Sequence, residues 1–119
     1  MLNDIETAKT LLQKLLRIEP SSIAVMGESF GGYLALLTAN QHKQGEGWYN
    51  KGFQQCIISI NGMYDLYQTM ANFPIKSPNM FTRYFGDINQ VRLGKYHGFS
   101  PIHQATNKPI AANIQYLII

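Results

Sequence analysis

Several features that define other classes of protein are scarce in this sequence. There is one cysteine, Cys56, and it lies inside the apolar run 55–60. A disulfide framework needs pairs of cysteines, so Cys56 is interpreted as a buried strand residue. The histidine, cysteine and carboxylate side chains are not spaced as metal ligands are, and neither a metal nor a cofactor is expected.

Charge is sparse and unclustered. Charged residues make up 14% of the 119 positions, and the ten lysines and arginines are scattered between Lys9 and Lys108 without forming a run. A nucleic-acid partner is therefore not expected. No apolar stretch approaches the roughly 20 residues that span a bilayer, so no membrane is expected as a partner. Residues 1–14 lack the apolar core of a signal peptide, which makes a cytoplasmic location the default if Met1 is the true start.

Apolar residues make up 45% of the chain, which is typical of a globular domain. Their spacing predicts a helix over Asp4–Arg17 and a buried, Leu/Ala-rich helix over Tyr33–Asn40. Short continuous apolar runs predict buried strands at Ile23–Met26, Cys56–Ile60 and Ile114–Ile119, with short helices and loops between the second and the third. This alternation predicts an α/β fold of about three adjacent parallel strands, in chain order, with flanking helices.

The segment Gly27-Glu28-Ser29-Phe30-Gly31 matches the pattern Gly-x-Ser-x-Gly. It follows an apolar strand and precedes a helix, which is the context in which this pattern forms a nucleophile elbow. The turn lifts the serine clear of the sheet, and the residues two before and two after it approach closely, so glycine is expected at 27 and 31. Ser29 is therefore the candidate nucleophile. The alternative is a glycine-rich turn with an incidental serine.

The neighbours of Ser29 suggest further roles. The helix that starts after it directs its first N–H groups toward the site, which makes the Phe30 N–H a candidate donor to an oxyanion. Gly32 extends the glycine pattern. Tyr64 follows a predicted strand end, where ligands bind in such sheets, and is a candidate pocket residue, with core packing as the alternative. Glu28 is expected to point away from the reacting centre.

Residues 23–35 resemble the elbow of the prolyl oligopeptidase family of serine peptidases, which commonly reads Gly-x-Ser-x-Gly-Gly-Tyr. Leu2–Arg17 is similar to that family's preceding helix, and Ser59–Asp65 to the end of its next strand. Ser100-Pro101-Ile102 is similar to a Ser-Pro-Ile segment before the following strand, and Tyr116–Ile119 to the strand that runs into His-Gly-x-x-Asp. The resemblance implies a partial α/β-hydrolase fold, with residues 1–119 forming part of a peptidase catalytic domain.

The resemblance also implies parts that this sequence does not contain. In the family, the triad aspartate follows the strand at which the chain ends, the histidine comes later, and an upstream His-Gly-Gly-type segment helps to bind the oxyanion. The N-terminal strands and the C-terminal Asp/His segment are therefore expected to be lacking. A truncated gene or a partial gene model would both explain this.

Candidates for a triad within the chain itself are few. Asp65 and His103 follow Ser29 in the order Ser, acid, His that this fold uses. The alternatives are a helix N-cap or turn for Asp65 and an exposed or packing histidine for His103. His42 lies about 20 Å along the elbow helix from Ser29, too far to act as its base. His97 is interpreted as a loop residue.

The resemblance implies a serine hydrolase that cleaves peptide bonds through an acyl-enzyme on Ser29, with a peptide or ester as substrate of the full-length parent. The chain alone is expected to be inactive. The alternatives are a carboxylesterase-type fragment and a non-catalytic remnant or binding module. Because the strand at Ile23–Met26 is expected to have one bare side, self-association through the sheet edge is also expected.

Overall fold

A computed structural model describes residues 1–19, 22–40, 56–72, 80–86, 93–107 and 115–119. The helices and strands follow one another as α1 (Leu2–Leu16), β1 (Ala24–Glu28), α2 (Phe30–Asn40), β2 (Cys56–Ile60), α3 (Leu66–Asn72), α4 (Met80–Phe85), α5 (Leu93–Phe99), α6 (Pro101–Asn107) and β3 (Gln115–Ile118). The chain divides into two compact units, Met1–Gly62 with Ile110–Ile119, and Met63–Pro109. No helix in the described ranges is long and apolar enough to cross a membrane.

The first unit is built on a parallel sheet with the strand order β1-β2-β3. The predicted order and direction of the strands are confirmed, and so is a partial α/β-hydrolase fold. The register aligns Met26, Ile58 and Leu117 in one row across the sheet, and Val25, Ile57 and Tyr116 in the next. The two rows point to opposite faces of the sheet, because successive side chains along a strand alternate in direction.

Helix α2 covers one face of this sheet and forms the core of the first unit. It packs against both β1 and β2, and its residues 35–37 are at most 5% exposed. Beneath it, Ile57 and Ser59 of β2 are fully buried. The helix is apolar nearly all round, as expected for one that is buried rather than amphipathic.

On the opposite face of the sheet, two apolar side chains are exposed. Met26 is 67% exposed and Leu117 is 49% exposed, although both sit in one apolar row with Ile58. The expectation that the first strand is buried on both faces is therefore wrong for this structure. Side chains along β1 alternate between exposed and half-buried, because α2 shields only one of its faces.

The described part of the second unit contains short helices, as predicted, and a buried serine links two of them. Ser100 is fully buried, accepts a 2.9 Å hydrogen bond from the Leu66 N–H, and donates one of 2.7 Å to the Tyr96 carbonyl. The Tyr96 hydroxyl in turn donates to the Gly86 carbonyl over 2.7 Å. Ser100 thereby joins the start of α3 to the end of α5.

We expect the chain to self-associate at tens of micromolar, the range in which exposed apolar strands aggregate. In the described sheet β1 is an edge strand, and its central residue, Met26, is exposed. Met26→Lys places a charge on this edge and should shift light scattering toward the monomer without loss of helical circular dichroism. Wild-type protein that is monomeric at these concentrations would contradict the expectation.

Candidate active site

Ser29 lies at the junction between a strand and a helix. β1 ends at Glu28 and α2 begins at Phe30, and Ser29 between them has φ 52° and is exposed. A left-handed backbone costs an ordinary residue roughly 1–2 kcal/mol. Residues that retain this strain cluster at active sites. The predicted strand–turn–helix arrangement is present, and the strand ends at Glu28, two residues beyond the predicted end.

Two backbone hydrogen bonds hold Ser29 in this conformation. Its N–H donates to the carbonyl of Ile60, the last residue of β2, over 2.9 Å, and its carbonyl accepts from the Tyr33 N–H over 3.1 Å. The first bond continues the β1–β2 ladder one residue past Glu28, and the second makes Ser29 the residue from which α2 starts. The Ser29 N–H is thus already used in the sheet.

Asn61 repeats the geometry of Ser29 at the end of the next strand. It has φ 46°, and its N–H donates to the carbonyl of Ile119 over 2.8 Å. Because Glu28 pairs with Ile60 in the register, Ser29 and Asn61 occupy neighbouring positions at the carboxyl edge of the sheet. The sequence analysis did not predict this residue, although an Asn-Gly pair after an apolar strand favours a left-handed turn.

Glycine at position 27 is required by a close approach beneath the turn. A Cβ at Gly27 would overlap the backbone carbonyl of Gly31. Gly32 is also confined, since a Cβ there would lie 2.8 Å from Ser59 Oγ and 3.1 Å from both the Gly27 carbonyl oxygen and Gly62 Cα. The turn therefore packs directly onto β2 through positions without side chains.

The steric reason expected for glycine at 31 does not hold. A Cβ at Gly31 would meet no atom within 4 Å, and its φ is not positive. The contact beneath the turn involves the backbone of Gly31 rather than the space its side chain would fill. Positions 27 and 32 are therefore those at which the packing leaves no room for a side chain.

The side chains around Ser29 are aromatic and apolar on the helical side. The Phe30 ring stacks on that of Tyr33 with centroids 5.6 Å apart. Tyr33 is 2% exposed, and this burial raises the pKa of its hydroxyl. Glu28 is exposed, and its orientation away from the reacting centre stays a prediction. The role of Phe30 as an oxyanion donor stays a prediction.

Asp65 and His103, the two candidates for triad partners, are joined within the second unit. His103 Nε2 lies 3.1 Å from Asp65 Oδ2, and Asp65 Oδ1 also accepts the Gln68 N–H over 3.1 Å. Partial burial raises the pKa of the Asp65 carboxyl. Three hydrogen bonds to the carboxylate, from Gln68, His103 and Tyr67, and the charge of His103 lower it. These effects outweigh that of burial, so the pKa of Asp65 lies below its usual value of 3.8.

This pairing favours a structural role for both residues. Asp65 caps the start of α3, the alternative that the sequence analysis gave for it. The His103 ring also lies against that of His97, with centroids 3.9 Å apart. His97 belongs to α5 rather than to a loop, which corrects its sequence interpretation.

The remaining predicted residues are placed as follows. Tyr64 is half-buried, and its hydroxyl is buried without a hydrogen-bond partner among the described residues. Its role as a pocket residue stays a prediction. His42 lies outside the described residues. Among those described, no group of three or more histidine, cysteine or carboxylate side chains could hold a metal ion.

Three parallel strands with flanking helices, and a strained serine at the turn from β1 to α2, are features of serine hydrolases with the α/β-hydrolase fold. The sequence profile of the prolyl oligopeptidase family matches residues 2–119. The chain therefore belongs to the prolyl oligopeptidase family, a family of serine peptidases, as the sequence resemblance indicated. No curated protein and no solved structure gave a significant match.

Alanine at 27 and at 31 should have opposite effects on stability. We expect Gly27→Ala to lower the free energy of unfolding by at least about 2 kcal/mol, because the new Cβ overlaps backbone that cannot move cheaply. Gly31→Ala should raise it by about 0.5 kcal/mol, because glycine is unfavourable within a helix. Urea denaturation followed by circular dichroism measures both. Equal destabilisation by the two variants would show that the turn is packed differently.

Proposed function

We propose that this chain supplies the nucleophile of a serine peptidase of the prolyl oligopeptidase family, and that Ser29 is that nucleophile. The observation that carries the proposal is the exposed, left-handed Ser29 between β1 and α2. Ser29 Oγ attacks the carbonyl carbon of a peptide bond as its proton passes to a base. The base gives that proton to the amine as the C–N bond breaks and the amine leaves, and water then hydrolyses the acyl-enzyme formed on Oγ.

The charge that develops on the carbonyl oxygen needs hydrogen-bond donors. The Ser29 N–H donates to Ile60 within the sheet, so the proposed donor is the N–H of Phe30, the first residue of α2. The dipole of a helix places partial positive charge at its N-terminal end, which favours an oxyanion beside Ser29.

The base is not assigned to His103. In a serine triad the acid holds the histidine through Nδ1, which leaves Nε2 to take the serine proton. In this structure Asp65 occupies Nε2 of His103, and one face of the ring is covered by His97. We therefore propose that residues 1–119 on their own are a poor hydrolase, because an unassisted serine hydroxyl is a weak nucleophile.

Two alternatives to a peptidase follow from the same features. A carboxylesterase can share the elbow at Ser29, and a non-catalytic remnant or binding module would keep the fold without the reaction. Substrate preference distinguishes a peptidase from a carboxylesterase, since a peptidase should favour a peptidyl acyl group over a plain acetyl group. Reactivity of Ser29 distinguishes either enzyme from a non-catalytic remnant or binding module.

The proposal is tested by supplying the base from solution. The chain is incubated with p-nitrophenyl acetate, with and without imidazole as an external general base, and the acetylated residues are mapped by mass spectrometry. Ser22, which is also exposed, serves as the internal control. With imidazole, acetylation of Ser29 should exceed that of Ser22 by about 100-fold, the lower end of the range attributed to one oxyanion-hole donor.

The Ser29→Ala variant should lose the excess acetylation, while acetylation of Ser22 is unchanged. Equal acetylation of Ser29 and Ser22 would contradict the assignment of the nucleophile. Without imidazole we expect no ester turnover that depends on Ser29. Unassisted turnover that Ser29→Ala abolishes would show that the chain contains its own base, and would return His103 to consideration.

A further inference from the structure

Helix α1 has two sides of different character. On one side Ile5 is half-buried and Lys9, one turn further on, is buried, so this side packs within the first unit. On the other side Ala8, Leu11 and Leu15 are all exposed, and Leu15 is 75% exposed. Exposed leucines that adjoin one another, unlike scattered ones, are typical of surfaces where proteins associate.

The exposed side carries a row of four residues, here called the α1 row: Asp4, Ala8, Leu11 and Leu15. Their spacing of i, i+4, i+7 and i+11 aligns them along one line of the helix. The row is symmetric in position about its midpoint, with an acidic and a small residue on one side of that point and two leucines on the other. Lys14, in the last turn, lies beside the leucine end and is also exposed.

We propose that α1 pairs antiparallel with α1 of a second copy of this chain, through the α1 row. A two-fold axis at the midpoint of the row places each Leu11 over Ala8 of the other copy, so that a large side chain packs over a small one. It also places each Leu15 at the level of the other copy's Asp4. Lys14 is offset from that level by the rise of one residue, about 1.5 Å, and reaches the same carboxylate.

The charges of α1 favour a second copy as the occupant, in the antiparallel direction. Asp4 and Lys14 lie about 15 Å apart along the helix, too far to pair within one chain. Parallel helices would bring each charge against its equal. Asp4 does lie 2.9 Å from the N-terminal ammonium group, but its side chain is still 84% exposed. In a two-fold dimer each residue meets a partner that it also contacts in reverse, and Asp4 and Lys14 satisfy this condition.

The test uses Met26→Lys protein, so that the exposed edge of β1 does not contribute to association. Sedimentation equilibrium at low ionic strength gives the Kd of the dimer. Asp4→Lys and Lys14→Asp each convert both opposite-charge contacts into like-charge ones, and each should raise this Kd by at least about 10-fold. A 1:1 mixture of the two variants should dimerise as tightly as the parent, because every contact between them is again of opposite charge.

Matched controls lie elsewhere on the same helix. Glu6→Lys makes the same charge change as Asp4→Lys on the opposite side of α1, and should leave the Kd unchanged. Leu15→Ser should raise the Kd by at least about 10-fold through lost apolar burial. Leu16 is 61% exposed but lies off the α1 row, so Leu16→Ser should have little effect. Helical circular dichroism of each variant confirms that it is folded.

Three results would overturn the proposal. The first is parent protein that stays monomeric at tens of micromolar. The second is a mixture of the charge variants that associates no better than either variant alone, or single variants that dimerise as the parent does. The third is an equal effect of Leu15→Ser and Leu16→Ser. None of these outcomes depends on the reactivity of Ser29.

Discussion

A hydrogen bond of 2.9 Å runs from the N–H of Ser29 to the carbonyl of Ile60 and joins the turn after β1 to the end of β2. A bond of this kind contributes about 0.5–1.5 kcal/mol, comparable with the roughly 1–2 kcal/mol that a left-handed serine costs. The strained conformation thus persists because the central strand holds it. The N–H of Asn61 is held in the same way by the carbonyl of Ile119, so two left-handed residues, Ser29 and Asn61, follow the ends of the neighbouring strands β1 and β2.

The absence of side chains beneath the turn makes this bond possible. A Cβ at Gly27 would collide with the Gly31 carbonyl, and one at Gly32 would press on the buried hydroxyl of Ser59. Without them α2 starts close to the sheet, immediately after the exposed serine. Packing beneath the turn thereby places an exposed serine hydroxyl next to the N-terminus of a helix.

Local patterns predicted much of this structure, because they reflect local physics. The apolar runs gave the three parallel strands, and the Gly-x-Ser-x-Gly spacing placed Ser29 at the turn. Features set by distant contacts could not be found in this way. The spacing of the motif predicted a steric need for glycine at 31, whereas packing on Ser59 requires glycine at 32. The pairing of Asp65 with His103 joins residues that are 38 positions apart in the sequence. Such contacts depend on how helices meet, which periodicity does not encode.

The Ile60 carbonyl holds Ser29 in its strained conformation. Amide hydrogen exchange measured by NMR probes this hydrogen bond, because exchange of the Ser29 amide requires its bond to Ile60 to open. We expect the Ser29 amide to be protected to the same degree as the amide of Ile58 in the central strand. Exchange of Ser29 at the rate of an unstructured peptide, with Ile58 still protected, would contradict it.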